Sequence, residues 1–227
     1  IEEGLILARK ILSQILKLGL PIGTEMLDNI SPQYISDCVA WSSIGARTVE
    51  SQPHRELSSG LSMPVGFKNG TDGNIQVAIS GMKASLAPHS FLGVDEKGDI
   101  SIINTKGNPW CHMILRGGKT PNYSKEDIQH ASSELTKAKV VNRVIIDCSH
   151  GNSQKKFQNQ KIVVKSIIDQ LKNGSKDIAG IMLESHLNED AQPIGDGQNL
   201  SYGQSITDQC IGWDETESLI SEFSNSL

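Results

Sequence analysis

Residues 144–150 read VIIDCSH, an apolar run that ends in acidic and metal-capable side chains. The same form recurs at residues 41–47 (WSSIGAR), 65–70 (VGFKNG), 113–119 (MILRGGK) and 181–184 (IMLE). Apolar strands that each deliver one polar residue at the carboxyl end are typical of an active site on a parallel β-barrel. The residues delivered are Arg47, Lys68, Arg116, His150 and Glu184. Three cations suit an anionic ligand, and a His with a Glu suits a divalent metal.

The bulk composition excludes several classes of protein. The 227 residues carry a net charge of -5 and contain 4% aromatic residues, which argues against a nucleic-acid partner. No stretch approaches the roughly 18 consecutive apolar residues of a membrane span, so no membrane is expected. The four cysteines form no C-x-x-C pair, and this pattern predicts reduced thiols in a cytoplasmic protein.

Predicted strands and helices alternate along the chain. Strands are expected at 22–27, 41–47, 65–68, 112–116, 143–149 and 179–184, and helices at 2–18, 32–40, 74–86, 125–137, 155–172 and 214–223. A polar loop is expected at 50–59, and a β-hairpin insertion near residues 91–103. Six strand–helix units in strict alternation imply a parallel sheet. Because a closed barrel needs eight units, we predict a single α/β domain over 1–227, a (β/α)8 TIM barrel lacking its first two strand–helix units.

Five motifs in order resemble the type I, feedback-regulated bacterial 3-deoxy-D-arabino-heptulosonate 7-phosphate (DAHP) synthases. They are GART with ESQ (45–48 and 50–52), PVGFKNGTDG (64–73), LRGGK (115–119), DCSHGNS (147–153) and YGQSITD (202–208). The resemblance implies condensation of phosphoenolpyruvate with erythrose 4-phosphate to DAHP and phosphate. This reaction is the first step of the shikimate pathway to the aromatic amino acids.

The resemblance also implies a divalent metal, which we expect to be Mn, Fe, Zn or Co. Three of the family's four metal ligands match His150, Glu184 and Asp208. The fourth is a Cys in a Gly-Pro-Cys-Ser stretch, which this sequence lacks, as it lacks the family's Lys-Pro-Arg segment. We therefore expect little synthase activity from the chain by itself. Cys148, on the same side of its strand as His150, could replace the missing thiolate; the alternative is a small buried hydrophobe.

The substrate contacts are likewise implied by the resemblance. Arg47 and Arg116 would grip the phosphate of phosphoenolpyruvate, and Lys68 would serve its carboxylate. The catalytic set is Lys68, His150 and Glu25, with the water-activating base left open between Glu25 and a metal-bound water. The double glycine at 117–118 has two interpretations, a flexible turn or a backbone nest for a phosphate.

Feedback regulation implies an aromatic amino acid effector and a homo-oligomer with the effector cavity near a subunit interface. The matching positions are Gln33, Leu57, Leu61 and Ser62. His54 and Arg55 are left as unassigned surface residues. Two alternatives stay open: a related phosphoenolpyruvate-condensing synthase that uses another sugar phosphate, and a catalytically silent fragment that serves assembly and effector binding.

Overall fold

The computed structural model of the protein describes residues 1–95 and 97–227. The helices are α1 (Glu2–Lys17), α2 (Pro32–Ile35), α3 (Gln52–Gly60), α4 (Gln76–Leu86), α5 (Lys125–Ala138), α6 (Gln160–Lys172) and α7 (Trp213–Ser224). The strands are β1 (Gly23–Glu25), β2 (Trp41–Ile44), β3 (Val65–Lys68), β4 (Ser90–Val94), β5 (Ile100–Asn104), β6 (Cys111–Leu115), β7 (Val144–Asp147) and β8 (Ile178–Met182). Two short 3₁₀ helices, Ser36–Cys38 and Phe157–Asn159, precede β2 and α6.

The strand order confirms an α/β fold built on a parallel sheet. Within the described residues, six strands form one sheet in the order β1-β2-β3-β6-β7-β8, and β1–β2, β2–β3 and β7–β8 pair in parallel. β4 and β5 form the predicted antiparallel hairpin, apart from that sheet. Glu96, inside the predicted hairpin connection, lies outside the described residues. The closed eight-stranded barrel stays a prediction.

The chain divides into two compact units, each with its own core. Unit 1 comprises Ile1–Gly70, Asn74–Met113 and Leu135–Val141, and unit 2 comprises Thr71–Gly73, Ile114–Glu134 and Asn142–Leu227. Fully buried side chains of unit 1 include Ile44, Phe67 and Met82. Those of unit 2 include Ile146 and Ile167. The single domain predicted over 1–227 stays a prediction.

The polar loop predicted at 50–59 is wrong, because this segment forms helix α3. Its only large aliphatic residue is Leu57, so the apolar periodicity that marks a helix is absent from the sequence. Two serines occupy its buried face instead. Ser58 Oγ donates to the carbonyl of His54 at 2.7 Å, and Ser59 Oγ donates to that of Glu56 at 2.5 Å. Such bonds back to the preceding turn make a buried serine compatible with a helix.

Two predicted helices have different boundaries in the structure. The helix expected at 32–40 is a four-residue α-helix followed by a 3₁₀ turn. The helix expected from residue 155 begins at Gln160. Gln154 and Lys155 have φ angles of 55° and 58°, and this left-handed backbone is incompatible with a right-handed helix.

Two other sequence expectations concern membranes and thiols. None of the helices formed by the described residues has both the length and the apolar character needed to cross a membrane. All four cysteines are buried, and none of them is paired in a disulfide.

A ring contact joins the first residue of β2 to the second residue of β6 in unit 1. Trp41 Nε1 donates to His112 Nε2 at 3.0 Å, and His112 Nδ1 lies 3.3 Å from the carbonyl oxygen of Trp110. The bond from Trp41 requires an unprotonated Nε2, so the neutral ring carries its proton on Nδ1. Burial lowers the pKa of His112 below its ordinary value of 6.5.

We expect the free energy of unfolding to decrease as the pH falls below about 6.5. The unfolded chain binds a proton at His112 more readily than the folded chain does, so acid favours unfolding. Urea unfolding at pH 7.5 and 5.5 measures the decrease in the free energy of unfolding. This decrease should be smaller in His112→Asn. His130→Asn, at an exposed position of α5, is the control and should keep the wild-type pH dependence. A wild-type pH dependence in His112→Asn would contradict the assignment.

Candidate metal centre

His150 lies just past the carboxyl end of β7, in a tight turn. Its φ angle is 46°, a left-handed conformation that is uncommon for a residue other than glycine. The turn is held by backbone bonds on both sides of the residue. The N–H of Lys155 donates to the carbonyl of His150 at 2.8 Å, and the N–H of Gly151 donates to that of Arg116 at 3.0 Å. The imidazole is therefore presented by a fixed backbone.

Two carboxylates face the Nε2 atom of this imidazole. His150 Nε2 lies 3.8 Å from Glu184 Oε1 and 3.7 Å from Asp208 Oδ2. One ligand atom from each of the three residues lies within 4.8 Å of the others. All three residues belong to unit 2. The structure thus brings together the three side chains that the resemblance implied as metal ligands.

The geometry of this cluster fits a divalent cation. Two ligands that each lie about 2.1 Å from one metal in tetrahedral geometry are about 3.4 Å apart, close to the separations found here. The two contacts are too long for hydrogen bonds. A cavity of about 30 Å³, lined by His150, Asp208 and Lys155 among others, adjoins the cluster. One imidazole nitrogen and two carboxylate oxygens suit a first-row divalent metal.

The Asp147 carboxylate lies on the other side of the imidazole, next to Nδ1. Its Oδ2 atom lies 2.8 Å from His150 Nδ1, and its Oδ1 atom accepts the backbone N–H of Ser149 at 3.0 Å. The Asp147 carboxylate is 1% exposed. A proton on Nδ1 leaves the lone pair on Nε2, the nitrogen that faces Glu184 and Asp208. This is the usual arrangement of a carboxylate behind a metal-binding histidine.

Glu184 and Asp208 are placed by the segments around β8 and the loop that follows it. Glu184 lies two residues past β8, and Gln160 of α6 bonds to its backbone. Asp208 is carried by the loop before α7. The bridge between Asp190 and Cys210 and the bond from Thr207 N–H to Ser205 Oγ, at 3.1 Å, shape this loop. Asp208 remains exposed, in contrast to the half-buried His150 and Glu184.

Cys148 is placed as a buried hydrophobe rather than a metal ligand. Its side chain is fully buried, and its Sγ lies 3.6 Å from the carbonyl oxygen of Ile146. Burial, with a smaller effect of Asp147, raises the pKa of the thiol. Among the described residues, the cluster of possible metal ligands does not include it. The geometry therefore favours the second of the two interpretations of Cys148.

Gly117 and Gly118 allow the loop after β6 to pack closely against two other loops. A Cβ on Gly117 would lie 2.5 Å from the backbone N of Asn152, and a Cβ on Gly118 would overlap the backbone of Asp72 and Gly73. A Cβ on Gly151 would lie 2.7 Å from Gly118 N. Close backbone packing therefore requires glycine at these positions, and Gly117 also has a φ angle of 74°.

The other predicted catalytic and substrate-binding residues lie at or just after strand ends. In unit 1, Glu25 ends β1 with its carboxylate against Gly45, Lys68 ends β3, and Arg47 follows β2 in an exposed turn. Lys68 is 8% exposed, unlike an ordinary surface lysine. In unit 2, Arg116 follows β6 directly and is half-buried. Their roles in binding substrate stay predictions.

The predicted effector residues all lie in unit 1. Gln33 is exposed on α2, Leu57 is buried in α3, Leu61 follows α3, and Ser62 is exposed. A Cβ on Gly93 of β4 would lie 3.4 Å from Gln33 Nε2, so the hairpin approaches this residue. Gln33 also lines a groove of about 340 Å³. The effector site itself stays a prediction.

His54 and Arg55, left as surface residues, have structural contacts on α3. His54 Nδ1 lies 2.7 Å from Ser51 Oγ. Arg55 Nε donates to the carbonyl of Val49 at 2.8 Å, and its guanidinium also donates to that of Val77 at 3.2 Å. Half-buried Arg55 therefore ties the β2–α3 turn to helix α4, so its description as a surface residue is wrong.

Sequence reasoning missed Asp147 and Gln160, although both carry a signal. Asp147 interrupts the apolar run VIIDC, and a buried charge is costly unless it is paired. Gln160 lies three and four residues before Val163 and Val164, which are buried on the inner face of α6. A polar residue on such a face needs partners, and its position predicts a role in holding another group.

Comparison with known proteins gives consistent matches along the chain. Residues 1–221 match the sequence model of the DAHP synthetase I family. The chain is 51% identical over 227 residues to the Phe-sensitive phospho-2-dehydro-3-deoxyheptonate aldolase of Escherichia coli K12, covering 100% of this chain and 65% of that protein. It is 47% identical over 228 residues to the Tyr-sensitive enzyme of the same strain, covering 100% of this chain and 64% of that protein.

A solved structure agrees with these matches. The phospho-2-dehydro-3-deoxyheptonate aldolase from Francisella tularensis SCHU S4 superposes with a TM-score of 0.95 at 47% identity, covering 99% of this chain and 65% of that one. The chain therefore spans about two-thirds of the length of the relatives it matches, at 64% and 65% of the two curated ones.

We expect Gly118→Ala to destabilise the loops around the candidate metal centre. The added Cβ would lie 2.5 Å from the carbonyl carbon of Asp72, and overpacking of this kind costs about 1–3 kcal/mol. Gly180→Ala on β8 is the matched control, because nothing lies within 4 Å of the added Cβ. Urea unfolding of both variants of this 227-residue chain makes the comparison. Equal stability of the two would contradict the tight loop packing.

Proposed function

The chain belongs to the DAHP synthetase I family, and we propose that it is the metal-binding part of an enzyme that condenses phosphoenolpyruvate with erythrose 4-phosphate. The products are DAHP and inorganic phosphate. The observation that carries the proposal is the convergence of His150, Glu184 and Asp208 within 4.8 Å, at positions that match the family's metal ligands. The sequence identity of 47–51% to relatives named for this chemistry supports it.

In the proposed reaction, the enol carbon of phosphoenolpyruvate forms a bond to the aldehyde carbon of erythrose 4-phosphate. Water adds to the carbon that carried the phosphate ester, and phosphate leaves. A divalent cation held by His150, Glu184 and Asp208 would supply Lewis-acid polarisation of a carbonyl oxygen. We expect Mn, Fe, Zn or Co, since these metals accept imidazole together with carboxylates.

The protein's own side chains hold and orient the reacting groups. A proton on His150 Nδ1 would face the Asp147 carboxylate 2.8 Å away and leave Nε2 available as a ligand. Guanidinium groups suit the phosphate of phosphoenolpyruvate because they bind it with two parallel hydrogen bonds, and Arg47 and Arg116 are assigned this role. Lys68 is assigned to the substrate carboxylate on the basis of the family's motifs. The group that activates water stays open between Glu25, at the end of β1, and the proposed metal centre.

We propose that the complete enzyme includes segments beyond the six strand–helix units described here. The family's cysteine ligand and its Lys-Pro-Arg segment have no counterpart in this sequence. β1 and β8 are the two ends of the strand order, and each would gain a neighbour in a closed barrel. Two further strands would bring the six to the eight of a (β/α)8 barrel. The enzyme's cytoplasmic location and homo-oligomeric state are part of the same proposal.

Removal of one metal ligand tests the proposed function. In the full-length protein, Asp208→Ala should weaken metal binding by more than about 100-fold, since loss of an outer-shell partner alone costs about 10–100-fold. DAHP formation from the two substrates should fall with it. Asp196→Ala removes an exposed carboxylate of the preceding loop and should leave both measurements unchanged.

Three results would each contradict a different part of the proposal. Unchanged metal content and turnover in Asp208→Ala would reject the ligand assignment. Turnover of phosphoenolpyruvate only with another sugar phosphate would reject the second substrate. Metal binding without turnover of any sugar phosphate would favour a non-catalytic role in assembly or effector binding.

We also propose an aromatic amino acid effector in unit 1. The support is the match of Gln33, Leu57, Leu61 and Ser62 to the family's effector positions, together with relatives that are Phe-sensitive and Tyr-sensitive. Two leucines suit an aromatic ring, and a serine hydroxyl suits its polar groups.

A bulky residue at the effector position should abolish feedback inhibition. Ser62→Phe in the full-length enzyme should raise the inhibitor concentration for half-inhibition more than about tenfold, because the new ring fills the proposed space. Ser221→Phe adds the same bulk at an exposed serine of α7 and should leave inhibition unchanged. Phe, Tyr and Trp are tested separately. Equal sensitivity of Ser62→Phe and wild type would place the effector elsewhere.

A further inference from the structure

We propose that Gln160 is a positioning residue for the metal ligand Glu184. Gln160 is the first residue of α6, and its side chain is fully buried. Glu184 lies beyond the last residue of β8, where strand pairing with β7 has ended at Met182. The inference rests on the proposed metal site and adds to it a residue that touches neither metal nor substrate.

The side-chain amide of Gln160 bonds to Glu184 in the way that a neighbouring strand would. Its Nε2 atom donates to the carbonyl of Glu184 at 3.0 Å, and its Oε1 atom accepts the N–H of Glu184 at 2.9 Å. The N–H of Ile211 donates to the same carbonyl at 3.0 Å. The backbone of Glu184 is therefore held by three hydrogen bonds, and two of them come from one amide.

The apolar surroundings of Gln160 support a role for its side chain in holding the backbone of Glu184. Val163, Val164 and Ile167 continue the buried face of α6, where an aliphatic side chain would occupy the same space without polar atoms. A buried amide is costly unless its donor and acceptor are both satisfied. Both are satisfied here by a single residue, and that residue is a proposed ligand.

The consequence concerns the position of the Glu184 carboxylate. With its backbone fixed, the side chain places Oε1 3.8 Å from His150 Nε2. Metal–ligand distances tolerate deviations of only about 0.2 Å, so a freed backbone would lower the fraction of molecules with all three ligands in place. Loss of an outer-shell partner typically lowers metal affinity about 10–100-fold.

Two substitutions in the full-length protein test the proposal with Co²⁺ as the probe. Gln160→Met keeps the approximate volume and removes both bonds. Gln160→Asn keeps the amide but shortens the side chain by one methylene, so that it does not span both backbone atoms. Both variants should bind Co²⁺ about 10–100-fold more weakly in competition with a chelator, with an altered visible absorption spectrum. If Gln160→Met does not fold, Gln160→Asn tests the proposal by itself.

A second glutamine of the same helix provides the matched control. Gln170 Nε2 donates to the carbonyl of Tyr123 at 2.9 Å, away from the metal cluster. Gln170→Met removes a comparable side-chain to backbone bond and should lower stability without changing Co²⁺ affinity. At saturating metal, turnover of the Gln160 variants should return toward the wild-type value, with KM for phosphoenolpyruvate unchanged.

The outcomes separate this inference from the proposed function. If wild type does not bind Co²⁺, or if His150→Ala binds it as tightly as wild type, the metal site itself is wrong. If wild type binds Co²⁺ through His150 and both folded Gln160 variants bind it within about twofold of wild type, the positioning role is wrong. A drop in stability with unchanged affinity and spectrum also overturns the inference, because a merely structural residue gives that result.

Discussion

A single buried asparagine holds together the strand ends on which the proposed metal centre of unit 2 depends. Asn152 Nδ2 donates to the carbonyl of Leu115 at 3.1 Å, at the end of β6, and to that of Asp147 at 2.8 Å, at the end of β7. Its Oδ1 atom accepts the N–H of Asn122 at 2.8 Å. Leu115 and Asp147 are the last residues of their strands, and the asparagine supplies the donors that bond to their carbonyls. The left-handed turn at His150 begins from this fixed base.

Just past the end of β8, a side-chain amide likewise makes the hydrogen bonds that a neighbouring strand would make. Asn152 donates to the backbone carbonyls at the ends of β6 and β7. Gln160 bonds to both the N–H and the carbonyl of Glu184. A parallel sheet leaves unpaired donors and acceptors where its strands stop, and buried groups of this kind must find partners. Amide side chains satisfy them without adding a charge, which would compete with the proposed ligands for a cation. The site is therefore stabilised by neutral groups close to its charged ones.

The sequence predicted most of the fold because the strands are continuous apolar runs and most helices have a clear apolar stripe. It failed at α3, where buried serines give no such stripe, and at the start of α6, where left-handed residues delay the helix. The proposed ligands His150, Glu184 and Asp208 were identifiable from motifs. The glycine packing was not, because backbone contacts between loops distant in sequence leave no periodic signal. Asp147 and Gln160 were detectable as polar residues at buried positions.

The donor set of the cluster bears on the kind of metal site that we propose. Among the described residues, the cluster offers one imidazole and two carboxylates, and no thiol belongs to it. Cys148 Sγ and Cys210 Sγ lie 3.6 Å and 3.5 Å from the carbonyl oxygens of Ile146 and Asp208. Structural zinc sites are closed by four protein ligands, whereas catalytic sites keep a position open for water or substrate. In the proposed site, the exposed Asp208 would leave coordination positions open on the solvent side of a cation, even with the family's cysteine as a fourth protein ligand, and this openness is typical of a catalytic site.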